Sequence, residues 1–156
     1  FRAEEQQRLI REMDLGVSFL LGKYEPERFF SLAKGHEAEP EGGERCFKCY
    51  RLRLEEAARA AKAGGFSYFT TTLSISPHKN AQVLNELGKE ISDTFGVPYL
   101  YSDFKKKNGY RRSCELSTEY HLYRQDYCGC PFSKAEAEGR KRRVQACATH
   151  TKERKS

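Results

Sequence analysis

FSYFTTTLSISPHKNAQVLNELGKEISDTFGVPYLYSDF, residues 66–104, is the stretch on which the fold turns. Its opening, FSYFTTTLSI (66–75), is aromatic and β-branched, the composition of a strand. Ser76 and Pro77 precede a helix expected from about Lys79 to Phe95. VPYLYSDF (97–104) then returns to strand composition. Strand, helix, strand is the signature of a crossover unit, which places its two strands parallel in one sheet. Ligands on such sheets gather beyond the carboxyl ends of the strands. Here those ends are Thr70–Pro77 and Ser102–Lys107.

Upstream, residues 3–13 read as a helix around Leu9, Ile10 and Met13, and GVSFLLG (16–22) as a buried strand. YEPERFFSLAKG (24–35) reads as a short helix ending at Gly35, and HEAEPEGGE (36–44) as a loop. ERCFKCYRLRLEEAARAAK (44–62) is helical, with Gly64-Gly65 as its stop. Downstream, KKKNGYRR (105–112) is a basic loop, and a helical stretch then runs to about Tyr123 and a Cys-Gly-Cys turn. Beyond Ser133 a short helix and a basic, frayed tail are expected. Three alternations of strand and helix predict an α/β fold, a Rossmann-like parallel sheet with covering helices. Residues 1–134 form one domain on this reading, and 135–156 a basic tail. No internal repeat or linker interrupts it. Residue 1 is Phe, and the opening resembles a helix interior, so a fragment lacking an upstream segment is expected.

The chain has 156 residues, with 28 Lys and Arg against 22 Asp and Glu, a net charge of +6 and a pI of about 9.0. That balance favours a polyanionic partner, although a basic tail alone would produce the same totals. The most apolar stretch, Val17–Leu21, is far too short to span a membrane. No secretory leader is visible, so a cytoplasmic, reducing setting is expected. There, paired cysteines serve more often as metal ligands or redox centres than as staples.

Six cysteines are present, four of them in two close pairs. Cys46 and Cys49 lie at i and i+3 near a helix start, which puts both sulfurs on one face. The helix N-terminus and Arg45, Lys48 and Arg51 should favour the metal-binding thiolate form. Two buried structural cysteines and a thioredoxin-type centre are the alternatives. Cys128 and Cys130 are separated only by Gly129, and a disulfide between them closes almost no loop. Such a bond is strained and easily reduced, a poor staple and a good two-electron switch. Two free thiols on a chance turn is the bland alternative. Cys46, Cys49, Cys128 and Cys130 together number the four thiolates that zinc or an iron–sulfur cluster takes. Cys114 and Cys147 read as structural or incidental.

Several polar groups flank these pairs. TTTLSISPHKN (70–80) sets hydroxyls and Lys79 at a helix start, an arrangement suited to anions or simply to an N-cap by Ser76. YSDFKKKNGYRR (101–112) interleaves Lys105, Lys106, Lys107, Arg111 and Arg112 with Tyr101, Phe104 and Tyr110. Cations for phosphates and rings for bases suit nucleic acid, and a solvated loop is the plain alternative. Arg124, Gln125 and Asp126 stand beside the Cys-Gly-Cys turn. Asp103 and Asp126 are candidate acid/base or metal-ligating groups, or partners of nearby cations.

GGERCFKCYRLRLEEAA, FTTTLSISPHKN and YLYSDFKKKNGYRRSCELSTEYHLYRQDYCGCPFS closely resemble the QueH-type epoxyqueuosine reductases, over roughly residues 1–134. The resemblance implies an iron–sulfur oxidoreductase of tRNA modification that removes the epoxide oxygen of epoxyqueuosine to give queuosine, at the cost of two electrons and two protons. It implies a [4Fe-4S] cluster held partly by Cys46 and Cys49, and a redox-active disulfide between Cys128 and Cys130. The partners implied are tRNA carrying epoxyqueuosine and an unidentified electron donor, with no membrane. Lys79, Lys105, Lys106, Lys107 and Arg124 become candidate tRNA contacts, and Asp103 a candidate acid/base or metal group. The family's Cys-Cys-x-Pro-Cys segment after its first strand has no counterpart here, so a truncated sequence is expected, with an inactive copy as the alternative, and its loss would take a central strand from the sheet. A zinc-stabilised RNA-binding module without catalysis is the alternative. A metal-free thiol–disulfide oxidoreductase is a weaker third.

Overall fold

The structure, a computed structural model, describes residues 1–153, with side chains through residue 144. Residues 154–156 of the expected tail, and the side chain of Cys147, lie outside the described residues. The chain divides into two compact units, Phe1–Leu122 and Tyr123–Ser156.

The first unit is built from α1 (Arg2–Glu12), α2 (Pro26–Ala33), α3 (Glu44–Ala63), a 3₁₀ turn (Thr72–Ile75), α4 (Ala81–Phe95) and α5 (Gly109–Glu119). Its core is the packing of α3 against α4. Cys46, Tyr50, Leu54 and Ala58 recur every fourth residue on α3, with Ala61 one turn further, and all are buried. Ala81, Leu84, Gly88 and Ile91 do the same on α4 at spacings of three and four. That periodicity gives each helix one apolar stripe to bury. Gly88 has a particular reason: a Cβ there would lie 2.5 Å from the Tyr99 ring. Asn80 caps α4, its side-chain oxygen accepting from the N–H groups of Gln82 and Val83. Ser76 instead accepts from His78 N–H one turn earlier. Gly96 ends α4 at φ +72°, the left-handed conformation a helix stop uses.

The expected Rossmann-like parallel sheet is not there. No strand occurs among the described residues, and segments 66–75 and 97–104 meet at one parallel bridge, Phe69 to Tyr99. Phe69 N–H donates to Pro98 O (3.1 Å), and Leu100 N–H donates to Phe69 O (2.9 Å). The ladder cannot grow in either direction, for local reasons. The preceding rung needs an N–H from residue 98, and proline has none. The following rung needs Leu100 O and Ser102 N–H, which are bound by Thr70 Oγ1 (2.8 Å) and Asn85 Oδ1 (3.1 Å). Thr71 then caps the 3₁₀ turn and leads the chain away.

The stretch 16–22, expected as a buried strand, is irregular, with Val17, Leu20 and Leu21 exposed. An apolar run states a tendency to be buried but does not supply the neighbour that a strand requires. The second unit holds α6 (Pro131–Glu153), 23 residues long, so the expected short helix runs on through most of the basic segment. No helix among the described residues is long and apolar enough to cross a membrane.

Candidate functional site

Gly43 is the N-cap of α3, which places Cys46 at its first turn and Cys49 one turn on. Cys46 is buried and Cys49 half-buried. The Gly42 N–H donates to Cys46 Sγ at 3.3 Å, so the preceding loop grips the thiol from its backbone. That loop, residues 36–43, is held by charge. Arg45 is buried, and its Nη1 donates to the carbonyls of Glu37 (2.8 Å), Glu39 (2.6 Å) and His36 (3.3 Å). Glu39 returns a contact by accepting from Arg45 N–H (3.0 Å) and sits 2.5 Å from His36 Nδ1. Lys48 Nζ is 2.7 Å from His36 Nε2. The Glu39 carboxyl is pulled below its ordinary range, first by His36 and then by the Arg45 N–H. The cations that flank the thiols also have other partners, Arg45 the loop carbonyls, Lys48 His36 and Arg51 Glu90.

Lys79, expected as a substrate or tRNA contact, is only 5% exposed. Its Nζ binds Glu41 Oε1 at 2.6 Å and lies 5.9 Å from the centre of the Tyr50 ring. It therefore ties the approach to α4 to the cysteine loop on α3. The sequence offered no sign of this pairing, because Glu41 and Lys79 are 38 residues apart.

A second cluster surrounds the end of segment 97–104. Asn85 clamps Ser102 by two bonds, Ser102 N–H to Oδ1 (3.1 Å) and Nδ2 to Ser102 O (3.2 Å). Phe104 N–H donates to the buried Ser74 Oγ (3.2 Å). These bonds hold the backbone at Ser102 and Phe104, on either side of Asp103. Asp103 pairs with Lys105 (2.9 Å) and Lys106 (3.7 Å). Its carboxyl is depressed chiefly by Lys105. Lys105 also reaches the carbonyls of Lys79 (3.3 Å) and Ser74 (3.5 Å) and is half-buried, whereas Lys106 and Lys107 are exposed. Between α4 and this segment lies an open groove of about 380 Å³, walled by Gln82, Asn85, Lys89, Tyr101, Asp103 and Lys106.

In the second unit, the Cys-Gly-Cys turn depends on Gly129 at φ +100°, a conformation that side chains resist. Pro131 opens α6, and Ser133 in its first turn holds both cysteines. Cys128 N–H donates to Ser133 Oγ (2.8 Å), and Ser133 N–H donates to Cys130 Sγ (3.3 Å). Cys130 thereby takes the acceptor role that serine or aspartate usually fills before a helix. Ser133 was missed in the sequence, although a cap, Pro131 and a serine two residues further form a readable helix start. Cys128 and Cys130 are both thiols here, with no disulfide between them. Arg124 is exposed, and Asp126 pairs with Lys141 (2.7 Å), which holds its carboxyl below the usual range.

No group of three or more His, Cys, Asp or Glu side chains is gathered for a metal among the described residues. Cys46 and Cys49 fit the chemistry of a cluster as far as they go. They are two thiols on one helical face, half of a four-thiolate set.

Two close thiol pairs, each at the start of a helix, define a vicinal-dithiol protein with a cation-bearing surface. A family model described as epoxyqueuosine reductase QueH matches residues 1–136, and the chain belongs to that family. Among curated relatives, epoxyqueuosine reductase QueH of Staphylococcus epidermidis is 43% identical over 85% of this chain and 58% of its own length. The protein of that name from Streptococcus pyogenes is 48% identical over 75% of this chain and 46% of its own. The one from Thermotoga maritima is 34% identical over 86% and 71%. The chain thus spans about half the length of the first two relatives.

Proposed function

We propose that the protein takes part in epoxyqueuosine reduction, the two-electron conversion of the epoxide in tRNA-borne epoxyqueuosine to the alkene of queuosine. The observation that carries this reading is family membership over residues 1–136, a span that includes both thiol pairs.

The balance of the reaction suits the second pair. Loss of the epoxide oxygen as water consumes two electrons and two protons. Oxidation of the Cys128 and Cys130 thiols to a disulfide releases the same two electrons and two protons. Gly129 at φ +100° permits a tight bend between the two cysteines, and Ser133 holds the turn through Cys128 N–H and Cys130 Sγ. A strained disulfide of this kind is readily reduced again by an external donor. Cys46 and Cys49 would hold part of a [4Fe-4S] cluster, which supplies one-electron transfer when bound. The loop bond from Gly42 and the Lys79–Glu41 pair keep that thiol pair placed and partly sheltered from water. Lys106, Lys107 and Arg124 are exposed cations suited to the tRNA backbone.

The test is anaerobic reconstitution of the full-length gene product with iron and sulfide, followed by reaction with tRNA carrying epoxyqueuosine and nucleoside analysis for loss of one oxygen. The expected result is broad visible absorbance with iron and sulfide bound, lost in Cys46→Ala and kept in Cys128→Ala, with turnover abolished in both. A colourless protein that binds zinc and leaves the epoxide intact would overturn the proposal.

A further inference from the structure

The groove between α4 and residues 101–106 has chemistry that the reaction itself does not use. Tyr101 forms one wall and is 58% exposed. Its ring is steadied by an edge contact with the buried Tyr99, at 5.5 Å between centres and 74° between planes. The groove is otherwise polar. Gln82 Nε2 donates to Glu86 Oε1 (2.9 Å), leaving the Gln82 carbonyl oxygen and the second Glu86 oxygen as acceptors. Lys89 and Lys106 stand in its walls, both largely exposed, each paired with one carboxylate, Asp93 and Asp103. The floor is rigid because Asn85 spends both ends of its amide on Ser102.

An aromatic wall, acceptors inside and cations beside them match an unstacked nucleobase that presents N–H donors while its phosphate lies by the lysines. An acidic peptide would set its own carboxylates against Glu86 and Asp103, whereas a neutral base presents N–H donors to them. We propose that this groove is a subsite for one unstacked base of single-stranded RNA, stacked on Tyr101 and flanked by Lys89 and Lys106. This deepens the tRNA reading above and rests on it for the identity of the RNA. The sequence marks Tyr101 and Lys106 as members of a basic aromatic stretch. The contribution of α4 through Gln82, Glu86 and Lys89 comes only from the fold.

The experiment is equilibrium binding of a fluorescent seven-nucleotide single-stranded RNA of mixed sequence to the full chain, across a salt series. Tyr101→Ala should weaken binding at least about tenfold, which is about 1.4 kcal/mol. Tyr101→Phe, which keeps the ring, should bind within about twofold of the parent. Lys106→Ala should flatten the dependence of log affinity on log salt by about 0.7, the loss of one single-strand phosphate contact. Circular dichroism melting of each variant separates lost binding from lost folding. Unchanged RNA affinity in a folded Tyr101→Ala variant would overturn the subsite. So would a Tyr101→Phe variant as weak as Tyr101→Ala. The reductase reading fails by a different result, absence of epoxide reduction by the reconstituted full-length gene product, which leaves the binding comparison intact.

Discussion

Replacing Lys79 by methionine removes a buried ammonium and keeps most of its apolar stem. Its partner Glu41 would remain with 19% of its side chain in solvent, facing the vacated place. Breaking a fully buried pair from one side costs about 3–5 kcal/mol. Partial exposure of Glu41 lets water recover some of that loss, so about 2–3 kcal/mol is expected. For a unit the size of Phe1–Leu122, that lowers the melting temperature by roughly 6–15 °C. The Lys79→Met, Glu41→Gln double variant should be less destabilised than the sum of the singles by at least about 1 kcal/mol. The effect should also reach the cysteine loop, because Glu41 adjoins Gly42, whose N–H holds Cys46 Sγ. Amide exchange at Gly42 and alkylation of Cys46 should both quicken in Lys79→Met under native conditions. The assays are thermal melting, native-state hydrogen exchange and timed alkylation with mass analysis. A Lys79→Met variant within about 0.5 kcal/mol of the parent, or singles that simply add, would refute the latch.

Gly88→Ala drives a methyl to 2.5 Å from the buried Tyr99 ring, so despite better helix propensity it should cost about 1–2 kcal/mol by chemical denaturation. The Asp103 carboxyl should titrate below the usual value of about 3.9 in carbon-13 spectra, and Lys105→Met should return it upward. The sign follows: stability from that pair is complete above the unfolded carboxyl's range and is lost as pH falls through the depressed folded value. A Lys105→Met variant with the same Asp103 titration as the parent would contradict the assignment. Ser133→Ala removes the acceptor for Cys128 N–H, at a cost of about 1 kcal/mol, and should speed exchange of that amide while leaving α6 helical by circular dichroism.

Helices were readable because their information is local. The 3–4 spacing of Cys46, Tyr50, Leu54 and Ala58, and of Leu84, Gly88 and Ile91, states a buried stripe without reference to anything distant. The spacing of the two cysteine pairs likewise placed Cys46 and Cys49 on one helical turn and Cys128 and Cys130 on one glycine-dependent bend. Strands are not legible in this way, because a strand is a relation between segments. FSYFTTTLSI and VPYLYSDF have the right composition and meet in the parallel sense. Their ladder stops at one bridge because Pro98 lacks a donor and because Thr70 and Asn85 take the next rung's groups.

Charge showed the same division. The sequence alone determined that Lys79, Lys105, Lys106 and Lys107 stand among hydroxyls and rings. Only the tertiary structure decided that Lys79 is buried against Glu41, that Lys105 is drawn inward by Asp103 and two carbonyls, and that Lys106 and Lys107 remain in solvent. A lysine's role depends on which carboxylate reaches it first, and that carboxylate can lie 38 residues away. Local periodicity therefore specified the helices and the thiol spacing, while long-range hydrogen bonds and ion pairs decided which cations are drawn inward and which face solvent.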